Sequence, residues 1–140
     1  MRVRVIWPGK TRDARLRSLI DDYAERLSHF VRCEVTEIRE DGRVDKVGID
    51  KETKRISDAL RPGAFVVLLD PEGVEWTSHQ LADQVRSWES NGIKEVAFIV
   101  GGPRGFSQEL MKLIDTLEDL DDTDEVHANF DIDAEVLERV

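Results

Sequence analysis

Two nearly continuous apolar runs, "AFVVLL" at residues 64–69 and "EVAFIV" at 95–100, most narrow what this chain can fold into. A strand with one wet face alternates apolar and polar residues. A strand covered on both faces does not need to alternate. The first run is bounded by Pro62-Gly63 before it and Asp70-Pro71-Glu72-Gly73 after it, both turn-forming. Between the runs lies "SHQLADQVRSWESNG", with Leu81, Val85 and Trp88 on one helical stripe, a serine cap at its start and Gly92 at its end. Strand, helix and strand fit within residues 64–100, which is a βαβ unit, so the two strands are expected to be parallel.

The rest of the chain extends this pattern. "RVRVIW" alternates and reads as a strand ending at Pro8-Gly9. From Thr11 to Phe30 the spacing of Leu16, Leu19, Ile20, Tyr23 and Leu27 is helical, with Thr11 or Asp13 near the N-cap. "CEVTEI" is a second alternating strand, and the charged residues 40–50 read as a loop. "KETKRISDAL" reads as a helix stopped by Arg61-Pro62-Gly63. "SQELMKLIDTLEDL", capped by Ser107, reads as another helix, "EVHANFDI" as a strand and "DAEVLERV" as a short last helix. The expected fold is α/β, a mostly parallel sheet flanked by helices.

A chain of 140 residues is the size of one domain with a real core. No stretch is apolar enough to span a membrane, and "MRVRVIWPGK" has no long apolar segment of a signal peptide, so a cytoplasmic location is expected. The one cysteine, Cys33, sits in a strand-like run and reads as a small buried hydrophobe. Net charge is −10, yet it is unevenly placed. Residues 1–112 balance 19 basic against 19 acidic residues, whereas 113–140 hold 1 basic and 11 acidic ones. Residues 1–17 carry six basic residues (Arg2, Arg4, Lys10, Arg12, Arg15, Arg17) and one acid, Asp13. A neutral body with a basic edge can bind RNA, and an acidic end would oppose it if the two lie close.

In an open parallel sheet, ligands sit beyond the carboxyl ends of the strands. Both buried runs end there in glycine-bearing turns, "LLDPEG" and "VGGPRG". Gly101 and Gly102 let backbone approach a ligand closely, because no Cβ intervenes. Against this, a Gly-Pro turn often only reverses the chain, and neither turn matches the GxGxxG or Walker fingerprints. Asp70 and Glu72 are candidates for a base or a cofactor hydrogen-bond partner, although Asp and Glu in a Pro-Gly turn usually just shape it. His29, His79 and His127 lack metal-ligand spacing, so no metal is expected. No nucleophile–base set can be assembled, and no catalytic residue is assigned.

"VVLLDPEGVEWTSHQLADQV" followed by "VAFIVGGPRGFS" resembles the ribosomal RNA large-subunit methyltransferase H family of the SPOUT methyltransferases. "VIWPGK", "YAERL" and "CEVTEI" match that family's first strand, first helix and second strand, so the resemblance covers residues 1–107. It implies a SPOUT-like α/β-knot fold and a homodimer. It also implies use of S-adenosylmethionine to methylate a ring nitrogen of a pseudouridine in large-subunit (23S) rRNA. By the family pattern Leu69 and Gly101 contact the cofactor, and Gly102 lies in the same turn.

The family's usual end, which threads the knot and completes the cofactor site, is replaced here by "LEDLDDTDEVHANFDIDAEVLERV". His127 falls near the family histidine's distance from Gly101, but its neighbours differ and that role is not carried over. "LIDTLEDLDD" and "EVHANFDIDAEVLE" resemble instead the end of the YebC/PmpR family of proposed transcriptional regulators. The chain thus divides into a methyltransferase-like body, 1–107, and an atypical acidic helix–strand–helix end, 108–140, expected to pack on the same domain. The functional readings are an rRNA methyltransferase, active or impaired by this end, and a non-catalytic RNA- or cofactor-binding module on the same fold. A regulator matched only by the tail is the weakest.

Overall fold

The computed structural model describes residues 1–39, 46–101, 110–112, 114 and 127–130. Strand and helix alternate as β1 (Arg2–Pro8), α1 (Ala14–Ser28), β2 (Arg32–Ile38), α2 (Lys46–Ala59), β3 (Phe65–Trp76), α3 (Ser78–Ser90), β4 (Glu95–Val100) and β5 (His127–Phe130). Residues 110–112 and 114 are also helical. The strands form one five-stranded sheet in the order β2-β1-β4-β3-β5, and every pairing is parallel. The two apolar runs are neighbours, Phe65 opposite Val96 and Leu69 opposite Val100.

Both faces of this central pair are covered, which is why the runs do not alternate. On one face Ile6, Val66, Leu68, Ala97 and Ile99 are closed over by Ile56 of α2 and by Leu110 and Ile114. On the other, Phe65, Val67 and Val96 meet Trp88 of α3. Val67, Leu68, Val96, Ala97 and Ile99 are all 0% exposed. Burying each of the larger ones, Val67, Leu68, Val96 and Ile99, contributes roughly 1.5–3 kcal/mol, so the pair anchors the core.

The βα connections run right-handed, so the moves β1 to β2 and β3 to β4, in the same direction across the sheet, place α1 and α3 on one face. Register agrees: Val35 pairs with Val5, and Val5 with Phe98, which packs on the α3 side. The apolar stripe of α1 is nevertheless open. Leu16 is 55% exposed, Leu19 51%, Tyr23 41% and Leu27 39%.

The structure narrows some local expectations and changes others. α1 is capped by Asp13, whose carboxylate accepts from the Arg15 amide at 2.8 Å and the Leu16 amide at 3.3 Å. α2 begins at Lys46, inside the span read as a loop. Gly48 lowers intrinsic helicity by about 1 kcal/mol, and packing of the helix on the sheet overrides it. Asp70-Pro71-Glu72-Gly73 does not end its strand, because β3 continues to Trp76. Both Leu69 and Val74 pair with Ala128 of β5, so the four residues between them form an excursion inside one strand. α3 is capped by Thr77 rather than by serine. The Thr77 hydroxyl accepts from the Gln80 amide at 3.2 Å, and Gln80 Oε1 accepts from the Thr77 amide at 2.8 Å. Gly92, at φ +75°, ends that helix as expected. The predicted turn 102–106, the Ser107 cap, most of the 107–120 helix and the 133–140 helix lie outside the described residues.

Two charged residues, Arg4 and Glu95, are buried on the α2 side of the sheet. Arg4 is 5% exposed. Its guanidinium donates to the Ala59 carbonyl at the end of α2, and to Thr36 Oγ1 at 3.1 Å. A cation at a helix C-terminus also suits the macrodipole. Around it, Arg61 pairs with Glu95 at 2.8 Å and Glu34 at 3.2 Å. The hydrogen bond from Arg61 holds the Glu34 carboxyl below the usual carboxylate range. This interaction therefore favours the fold above the ordinary glutamate range and is lost as pH falls through the lowered value.

Removing the Arg4 guanidinium leaves the Ala59 carbonyl and Thr36 hydroxyl without their donor and opens a gap against α2. Arg4→Ala is expected to lower the unfolding free energy by about 2–4 kcal/mol, and Arg4→Lys by less. Urea denaturation of the two variants measures this, and an Arg4→Ala midpoint equal to wild type would contradict it.

Candidate functional site

All five strands point the same way, so their carboxyl ends share one edge of the sheet. β4 ends at Val100, directly opposite Leu69 of β3, and Gly101 follows as the next residue. Two positions selected from sequence, Leu69 and Gly101, therefore stand on adjacent strands at this edge. Both are half-buried. Gly102, the third, lies outside the described residues, as do the remaining residues of its turn.

The Leu69 side is built by the aromatic cluster under α3. Trp88 lies 5.3 Å from Phe65, 6.0 Å from Phe98 and 6.5 Å from Trp76, ring centre to ring centre. Leu69 packs at the margin of this cluster, which fixes its backbone where β3 leaves the core. The next four residues then swing out. The Asp70 carboxylate accepts from the Glu72 amide at 2.9 Å, so Asp70 shapes the excursion instead of standing free as a base. Glu72 supplies that amide, and its own side chain is exposed.

A ligand at this edge meets an apolar side chain and main chain: Leu69, the end of β4 and a glycine without a Cβ. Such a surface suits a flat, uncharged heterocycle with a ribose, bound through backbone groups and apolar contact. The described part of the site fits the adenosine portion of S-adenosylmethionine in these respects.

β5 is a neighbour of the site that sequence reasoning does not find. It pairs with β3 so that His127 stands opposite Leu68 and Ala128 opposite Leu69. The alternation of "EVHANFDI" signals a strand, but nothing local says which edge it joins. The three histidines stay apart in the sequence of elements: His29 caps the end of α1, His79 lies in the first turn of α3 and His127 opens β5. Among the described residues no group of three or more His, Cys, Asp or Glu is arranged to hold a metal ion. Burial pushes the Cys33 thiol up, away from a reactive thiolate. No described helix is long and apolar enough to cross a membrane.

A second feature at the same edge lies beside β1. An open cleft of about 450 Å³ is lined by Lys10, Arg17, Asp21 and Glu37, among others. Its walls are largely charged and its mouth is wide. Arg17 is tied to Glu37 at 2.8 Å, and the Thr11 amide donates to the same carboxylate at 3.3 Å.

Comparison with known proteins gives the chain's family. The sequence matches the family described as "Predicted SPOUT methyltransferase" over residues 1–121. It is 33% identical to the ribosomal RNA large subunit methyltransferase H of Bifidobacterium animalis subsp. lactis, over 80% of this chain and 75% of that one. The protein of the same name from Stenotrophomonas maltophilia is 35% identical over 82% of this chain and 76% of its own. That of Flavobacterium psychrophilum is 33% identical over 80% and 74%.

Proposed function

Because the chain belongs to the SPOUT methyltransferase family, we propose that it methylates large-subunit ribosomal RNA with S-adenosylmethionine as donor. The observation that carries this reading is the juxtaposition of Leu69, where β3 leaves its pairing with β4, and Gly101, the residue after β4. The relatives' shared name supplies the substrate class, and the resemblance of "LLDPEG" and "VGGPRG" supplies the finer target, a pseudouridine ring nitrogen.

When bound, S-adenosylmethionine offers a methyl group on a positively charged sulfur, open to direct displacement by a ring nitrogen. Leu69 and Gly101, with Gly102 by the family pattern, would hold its adenosine end through main chain and apolar contact. The chain's own contribution is to fix donor and acceptor in line, which by itself lowers a bimolecular barrier substantially. Its basic edge at β1 opposes the overall negative charge and supports RNA as the partner.

The open stripe on α1 supports a homodimer. Leu16, Leu19, Tyr23 and Leu27 form a contiguous helical face without internal cover, and a symmetric partner would bury it. A cytoplasmic location follows from the ribosomal substrate.

The acidic end favours a second reading, a binding module with weak or no transfer. The family match stops at residue 121, and Asp121, Asp122, Asp124 and Glu125 cluster at that boundary. If these carboxylates stand near bound RNA, they would repel its phosphates.

Three outcomes are expected. Calorimetric titration with S-adenosylhomocysteine gives binding for the wild type and at least tenfold weaker binding for Gly101→Val, because branched carbons enter the space left by the missing Cβ. No binding by the wild type sinks the enzyme reading. On ribosomes with labelled S-adenosylmethionine, a chain whose residues after Ser107 follow the usual family pattern transfers methyl faster than this one; equal rates would show that the acidic end is harmless. In light scattering the wild type runs near twice 16.0 kDa and Leu19→Asp shifts toward one chain's mass, whereas a wild-type mass of one chain at micromolar concentration would refute the dimer.

A further inference from the structure

Six basic residues lie in the first 17 positions, and the structure sorts them into two groups. Arg4 is buried and committed to Ala59 and Thr36. Arg2 lies at the amino edge of the sheet, 4.0 Å from Glu95, and Arg17 is paired with Glu37. Lys10, Arg12 and Arg15 are different. All three are exposed, and none of them has an ion pair among the described residues.

Two of the acids near them are already engaged, while Asp21 lines the open cleft beside Lys10. The Asp13 carboxylate holds the first turn of α1 by accepting two amides. The Glu37 carboxylate holds both Arg17 and the Thr11 amide. The segment that carries the three cations is itself pinned. The Gly9 amide donates to the Ile38 carbonyl at 2.8 Å, the Thr11 amide to Glu37, and Asp13 caps the helix that presents Arg15. Three uncompensated cations are thus displayed within six residues on an anchored backbone.

Their position has a meaning. They follow the carboxyl end of β1, and β1 is the neighbour of β4. One strand spacing, about 5 Å, separates β1 from β4, the strand that Gly101 follows, and two spacings, about 10 Å, separate it from Leu69 of β3. The cations therefore border the candidate cofactor edge, on the side away from β5.

We propose that Lys10, Arg12 and Arg15 form a ridge that grips the phosphodiester backbone of the RNA and so seats the target nucleotide beside Leu69 and Gly101. This rests on the reading of the chain as an RNA methyltransferase. The ridge supplies affinity and orientation without reading sequence, as phosphate contacts do. It also explains how a chain of net charge −10 can hold RNA: the local field at this edge is positive although the total is not.

The test uses the full chain and a labelled large-subunit rRNA stem-loop, with binding followed by fluorescence polarisation across a KCl series. Wild type should show log affinity falling linearly with log salt. The K10A/R12A/R15A variant should bind roughly tenfold or more weakly at low salt, with a slope shallower by about 2, near 0.7 for each phosphate no longer neutralised. Its affinity for S-adenosylhomocysteine should match wild type, which also shows that it folds. R32A/R86A/K94A, which removes three cations elsewhere, should keep the wild-type slope. A K10A/R12A/R15A slope equal to wild type overturns the ridge, as does a wild type that binds this RNA without salt dependence or not at all. A shallower slope in that variant together with no methyl transfer by the wild type would leave the ridge standing and overturn the enzyme reading.

Discussion

The parallel pairing of β3 with β4 is the constraint from which the rest of the structure follows. Its residues point alternately to two faces, and both faces are apolar, so helices must cover both. α3 closes one face through Trp88; α2 and the helical residues Leu110 and Ile114 close the other. Once the two strands are in register, Leu69 and Val100 form their last pair. Gly101 then emerges beside Leu69 because β4 stops there, with no separate device needed to bring the two together.

The two edges of the sheet carry different duties. At the amino edge and beneath α2, charges are paired with one another: Arg61 with Glu34 and Glu95, Arg2 with Glu95, and Arg4 with the end of α2. These contacts join β1, β2, β4 and the segment after α2, and they hold the order of strands. Half-exposed ion pairs contribute little each; the buried Arg4 matters more, because its loss would strand buried acceptors. At the carboxyl edge Arg17 is paired with Glu37, whereas Lys10, Arg12 and Arg15 have no ion pair among the described residues, and main chain and apolar surface come forward. Stability and chemistry are separated along the strand axis, as in other open parallel sheets.

The charge pattern has a structural counterpart only in part. The basic start of the chain resolves into paired cations that serve the fold and unpaired ones that face the solvent at the β1 turn. The acidic stretch after residue 113 contributes Ile114 and the strand β5 to the described residues, and β5 adds a fifth strand beside β3. A segment that resembles the end of a different family thus completes the edge of the sheet next to the candidate cofactor cleft.

Local pattern determined a good deal on its own. The unbroken apolar runs implied strands covered on both sides, and the capped helix between them implied a parallel pair; both follow from side-chain periodicity and the geometry of crossovers. The same reasoning placed the turns "LLDPEG" and "VGGPRG" at one edge, since ligands gather where parallel strands end; Leu69 itself is singled out by the family resemblance. Only tertiary structure decided the remainder. Packing extended α2 back to Lys46 through a glycine that reads as loop. Pairing with β5 let β3 resume after Asp70-Pro71-Glu72-Gly73, although those residues have the chemistry of a turn. The stripe of α1 has the period of a buried face and yet stays open, because periodicity reports that a face is apolar and cannot report what covers it. Nor can composition say which cations are free: Arg4 and Lys10 look alike in the sequence, and only the positions of Ala59, Thr36 and Glu37 separate a structural guanidinium from an exposed ammonium.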